Sequence, residues 1–141
     1  MVATVHRLEG WESRLSAVIE GARDKPYVLG QHDCFSVSCA AVEALTGVDR
    51  WPEWRGRYAT KDQALRLLAS RASSFEDAGD GFFGVPRVAT AFARRGDIVA
   101  LATADGAKHL GVCLGSRAAC LSESGLVFVP VANCLCAWRI G

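Results

Sequence analysis

No apolar run in this chain approaches the ~20 residues a membrane-spanning helix needs, because Arg, Asp, Lys or Gly interrupts each candidate within a few positions. No membrane span is expected. Charge of one sign is also scarce: sixteen Lys and Arg stand against fifteen Asp and Glu, for a net charge of +1. That balance supplies no field to steer the protein toward a polyanion, so nucleic acid is not an expected partner. Neither phosphate-cradling glycine pattern, GxGxxG or GxxxxGK[ST], occurs. Cys134 and Cys136 form a CxC without a second ligand pair at zinc-type spacing, so neither a metal nor another cofactor is expected. Residues 1–26 carry charges throughout and lack the basic, apolar, small order of a secretory signal, which points to synthesis in a cytoplasm. In that setting the six cysteines are expected to be free thiols.

What is present is an ordinary globular composition, 50% hydrophobic and 22% charged, over 141 residues, which suits one domain spanning 1–141. Trp11, Leu15, Val18, Ile19 and Ala22 recur at three- and four-residue spacing and predict an amphipathic helix over 10–23. Pro26 and Gly30 then impose a loop, and Asp33 is placed to cap a second helix running to Thr46 and Gly47. Residues 48–59, with Pro52, Gly56 and two tryptophans, read as an irregular packed crossing. Thr60 and Gln63 form a capping box for a third helix, and Ser73 to Pro86, rich in small, acidic and glycine residues, reads as a loop. Beyond Gly96, short β-rich runs separated by turn residues predict an antiparallel meander. The fold class is therefore α+β, with N-terminal helices packed on a C-terminal antiparallel sheet.

Cys34 falls in the first turn of the second helix, where unpaired N–H groups and the helix dipole favour a thiolate and lower its pKa. A thiol nucleophile needs a base, and the chain has three histidines: His6 near the terminus, His32 two residues before Cys34, and His109. His32 is placed too tightly against the capping Asp33 to do more than form the rim. In an extended strand, His109, Gly111 and Cys113 share a face that can border a cleft, while Leu110, Val112 and Leu114 face the core. His109 is the better base.

Pro26-Tyr27, Gly30 and Asp33-Cys34, followed by Arg95 to Val99 and His109 to Gly115, resemble the NlpC-type papain-like cysteine peptidases. Segments Thr46 to Asp49, Arg55 to Tyr58 and Ala137 to Arg139 resemble a compact branch of that family found in bacteriophage and prophage tail proteins. The resemblance implies a papain-like core in which Cys34 is the nucleophile and His109 the base. Tyr27 would lie near the oxyanion, with Gly30, His32 and Asp33 lining the substrate side. It further implies a hydrolase of peptidoglycan stem peptides, made in a bacterial cytoplasm and carried on the virion tail among other tail proteins. The alternative is a structural or adaptor subunit of the tail tip that keeps the fold without efficient chemistry. Leu121 stands where the family places its third polar group, and Phe35 and Ser36 replace its small Ser-Gly pair. A hairpin turning at Gly115 to Arg117 would bring Glu123, Ser124 or Ser122 toward His109, with the carboxylate of Glu123 the strongest orienting group.

Overall fold

The computed structural model describes residues 6–141; residues 1–5, where the segment read for a leader begins, lie outside it. Four helices come first: α1 (Trp11–Arg23), α2 (Cys34–Thr46), α3 (Lys61–Arg71) and α4 (Phe75–Phe83). Six strands follow: β1 (Arg87–Val88), β2 (Ile98–Ala102), β3 (Lys108–Cys113), β4 (Arg117–Ser122), β5 (Gly125–Pro130) and β6 (Cys136–Trp138). They form one antiparallel sheet in the order β1-β6-β2-β3-β4-β5. The architecture is α+β.

Strands β2 to β5 are the expected meander, but β6 departs from it. The chain leaves β5 at one edge and returns to pair β6 with β2, Ile98 opposite Trp138, which leaves β1 as the other edge. Burial explains that return: Trp138 is fully enclosed, and its ring fills the space between β2 and α4.

Each face of the sheet is covered. Leu15, Ile19, Val37, Ala41 and Leu45 of α1 and α2 pack against Ile98, Ala100, Leu110, Val112 and Leu121. On the opposite face Val99, Leu101, Cys113, Ala118, Cys120 and Ala137 lie under Val131 and Cys134. The alternation read from 109–114 holds for the helix-facing side chains, but the other face is not an open cleft along its length. Gly111 is closely overlaid, since a Cβ there would come within 3.3 Å of Val99, Leu101 and the Ala119 carbonyl. Cys113 is fully buried.

The segment read as a loop from Ser73 to Pro86 contains α4. Ser74 accepts the Asp77 N–H (3.0 Å) as N-cap, and Gly84 closes the helix in the left-handed region at φ +70°. Gly79 and Gly81 lower helix propensity, which hides the element from sequence. Gly79 is required for packing: a Cβ would stand 2.2 Å from the Trp138 ring, whose Nε1 donates to Asp80 (2.8 Å). The crossing at 48–59 is packed as expected, with Trp51, Trp54 and Tyr58 buried around Cys39.

Candidate functional site

Helix α2 begins at Cys34 because Asp33 caps it reciprocally. The Asp33 Oδ1 accepts the Ser36 N–H (2.8 Å), and the Ser36 hydroxyl accepts the Asp33 N–H (2.9 Å). The second carboxylate oxygen turns the other way and accepts the Gly30 N–H (2.8 Å) and the Tyr58 hydroxyl (2.6 Å). At 2% exposure, Asp33 thus ties the 26–33 loop, the 48–59 crossing and α2 to one point. Gly30 has φ +86°, and a Cβ there would lie 2.2 Å from the Tyr58 carbonyl oxygen, so only glycine lets the two segments meet. His32 bonds through Nδ1 to the Pro26 carbonyl (3.2 Å) and bridges to Val28 through the backbone. Gly30 and His32 therefore shape the loop behind the site, while Tyr27 and Asp33 line its cavity.

Cys34 sits where two strands part. The β2–β3 ladder runs from Ile98↔Val112 to Ala102↔Lys108, but β3 and β4 are paired only at Val112↔Ala119 and Cys113↔Ala118. Into the opening beyond Val112 the start of α2 inserts the half-buried Cys34, which touches both sheet faces. The Cys120 thiol, the His109 imidazole and the Leu110 N–H are the groups that act on it. His109, half-buried on β3, lines the same cavity as Cys34, interacts with it, and has Asp105 and Lys61 as charged neighbours.

The electrostatics differ from the low-pKa thiolate expected at a helix start. The neighbouring Cys120 thiol and burial push Cys34 well above the ordinary thiol range, and His109 and the Leu110 N–H only partly offset them. Cys120 is pulled down by the same contact with Cys34, so the two thiols ionise in sequence. Contact with Cys34 raises His109 against the opposing effect of burial. The raised Cys34 thiol is protonated at neutral pH, with His109 as its neighbour.

Both side chains open into a cavity of about 350 Å³, walled by Phe35 of α2, Trp54 and Tyr58 of the crossing, Leu65 and Leu68 of α3, and Phe82 of α4. Tyr27 stands at its edge, and burial, with Cys34 and Asp33 nearby, raises its hydroxyl to about 12, so it is a neutral donor throughout the physiological range. The Cys34 N–H, first in its helix, is one of the groups that helical bonding leaves unpaired. Among the described residues, no group of three or more His, Cys, Asp or Glu is arranged to hold a metal ion.

Glu123 is not brought into hydrogen-bond contact with His109. It occupies the exposed β4–β5 turn, where its charge acts on Tyr27. Ser122 and Ser124 bond to each other (2.9 Å), and Ser122 also donates to the Gly125 carbonyl (2.8 Å), so the turn consumes both hydroxyls.

Sequence reading missed Cys120, Tyr58 and the aromatic wall. The alternation in Ala118 to Leu121 puts Cys120 on the face of Gly111 and Cys113, which was an available signal for the first. Tyr58 and Phe82 had none, because their positions depend on how distant segments cross. No curated protein matches this chain. A family model described as a domain of unknown function (DUF6950) matches residues 6–140, which takes in every residue of the cavity. The chain belongs to the DUF6950 family.

Proposed function

We propose that the protein is a cysteine hydrolase of amide bonds. The observation that carries this reading is that Cys34, at a helix start, and His109, on a strand, line one cavity large enough for a substrate. His109 takes the thiol proton as Cys34 Sγ attacks the substrate carbonyl, and the oxyanion is met by the Cys34 N–H and the Tyr27 hydroxyl. Collapse breaks the C–N bond, His109 returns the proton to the leaving amine, and water then releases the acyl group from sulfur. The resemblance of the Tyr27, Asp33-Cys34 and His109 segments to NlpC-type peptidases supports a papain-like core, peptidoglycan stem peptides as substrate and a place on a phage or prophage tail. The test is release of peptidoglycan fragments by wild type, Cys34→Ala and His109→Ala at matched folded concentration. Release by wild type alone is expected, and equal release by all three would refute the reading.

The second reading is a structural or adaptor subunit of a tail with the same fold. The elevated Cys34 thiol favours it, as does the lack, among the described residues, of a carboxylate hydrogen-bonded to His109. It gives no release from wild type between pH 5 and 9, with particle assembly indifferent to Cys34→Ala.

A further inference from the structure

The six thiols, all free, are distributed unevenly through the fold. Cys39 lies among the aromatic residues of the crossing, and Cys136 lies in the core under the helices. On the other face of the sheet Cys113, Cys120 and Cys134 share one buried cluster, and Cys34 packs against that cluster from the start of α2. Cys113 and Cys134 have partners of their own, donating to the Gly115 and Pro130 carbonyls (3.4 and 3.6 Å). Cys34 and Cys120 instead act on each other.

Strand register puts them there. Continued past Val112↔Ala119, the β3–β4 pairing would set Cys120 opposite Gly111, so no facing side chain covers it, and His109 opposite Ser122. The strands part at this point, α2 packs against both, and Cys34 enters between them. The two thiols differ in access. Cys34 is half-buried and lines the cavity, whereas Cys120 is 4% exposed and does not line it. They differ also in ionisation, since the interaction that raises Cys34 lowers Cys120 and makes Cys120 the readier of the two to attack as a thiolate.

We propose that Cys34 and Cys120 form an oxidisable pair, which hydrogen peroxide entering the cavity closes into a reversible disulfide that withdraws Cys34 from reaction. Cys34 Sγ attacks one peroxide oxygen, the O–O bond breaks, and the departing oxygen leaves as water with the thiol proton, so that Cys34 becomes a sulfenic acid. Cys120 Sγ then attacks Cys34 Sγ, the S–O bond breaks, and the hydroxyl leaves as a second water with the Cys120 proton. The two thiols lose two electrons and two protons, and the peroxide is reduced to two waters. With Cys120 adjacent, the sulfenic acid is consumed before a further oxidation makes it irreversible. The bond itself does not depend on the hydrolase reading; only its consequence for turnover does.

The test exposes wild-type protein to hydrogen peroxide at pH 8, denatures it in N-ethylmaleimide and measures intact mass and mapped peptides. Two fewer labels than the six of the reduced chain are expected, with the Cys34 and Cys120 peptides joined, and dithiothreitol should restore all six. Alkylation of native Cys34 by iodoacetamide should be lost on oxidation and return with dithiothreitol. Cys134→Ala, at another thiol of the cluster, should still close the bond. Cys120→Ala should not, and should hold Cys34 as a sulfenic acid that dimedone captures. Circular dichroism confirms that both variants are folded, and the wild-type mapping needs neither. Six labels after oxidation, a bond from Cys120 to Cys134, or wild-type Cys34 accumulating as sulfinic acid beside a labelled Cys120 would overturn the inference. Closure of the bond in a protein without Cys34-dependent hydrolysis would keep the pair and remove the hydrolase, whereas hydrolysis by a protein that does not close it would do the reverse.

Discussion

At the scale of single residues, the site depends on what surrounds one sulfur. Cys120 is the largest influence holding Cys34 protonated and His109 the main one opposing it, so the two substitutions should move its reactivity in opposite directions. Cys120→Ala removes the raising contact and should shift the alkylation profile of Cys34 to lower pH. His109→Ala removes a lowering contact and should shift it to higher pH; rate against pH from 6 to 10 for the three proteins reads both effects. A shift of the same sign in both variants would refute the arrangement. The buried cap responds differently. Tyr58→Phe deletes one of three donors to the enclosed Asp33 carboxylate and should cost about 1.5–3 kcal/mol in denaturant unfolding. Cys34 and Asp33 were legible in the sequence because capping is local, involving residues three apart. The Cys34–Cys120 contact was not, since it joins α2 to β4 across 86 residues of chain (120 − 34).

At the scale of elements, α4 shows how packing overrides propensity. Two glycines and three acidic residues within Phe75–Phe83 argue for turns, yet Ser74 and Gly84 cap a helix whose Gly79 lies against Trp138. Gly79→Val gains a little intrinsic helix propensity but drives side-chain atoms into the indole, so it should destabilise by ~1–3 kcal/mol despite being favourable in an isolated helix. Thermal unfolding of this variant against Gly81→Val, where a Cβ meets nothing within 4 Å, separates the two effects. Strand β3 was better read. Its helix-facing residues Leu110 and Val112 are buried as alternation requires, and Leu110→Ala should cost ~2–5 kcal/mol, measured by denaturant midpoint. The error about its other face has a physical cause: period-2 patterning assigns two sides to a strand but cannot say that 3₁₀ turns and Cys134 will cover the second.

At the scale of the molecule, one carboxylate with no exposure ties distant segments together. Asp97 accepts from the Arg7 guanidinium (3.0 Å), the Arg94 N–H (2.8 Å) and the Ile140 N–H (3.1 Å), which ties the N-terminal segment to the residues that follow β6. Asp97→Ala strands these donors, and losses on breaking such buried pairs are ~3–5 kcal/mol. The α+β order was readable from the change of period at Gly96, whereas the return of β6 beside β2 was not, because strand order depends on where Trp138 finds enclosure. All this framework positions Cys34 against His109 at the parted end of β3 and β4, and the central claim is that this pair forms an acyl-enzyme. The direct measurement is intact mass after brief incubation with the p-nitrophenyl ester of N-acetylphenylalanine, with and without hydroxylamine. The account predicts one hydroxylamine-labile acyl adduct mapped to Cys34 in wild type, absent from Cys34→Ala and slower to form in His109→Ala. An unmodified wild-type protein, or an adduct that survives in Cys34→Ala, would contradict it.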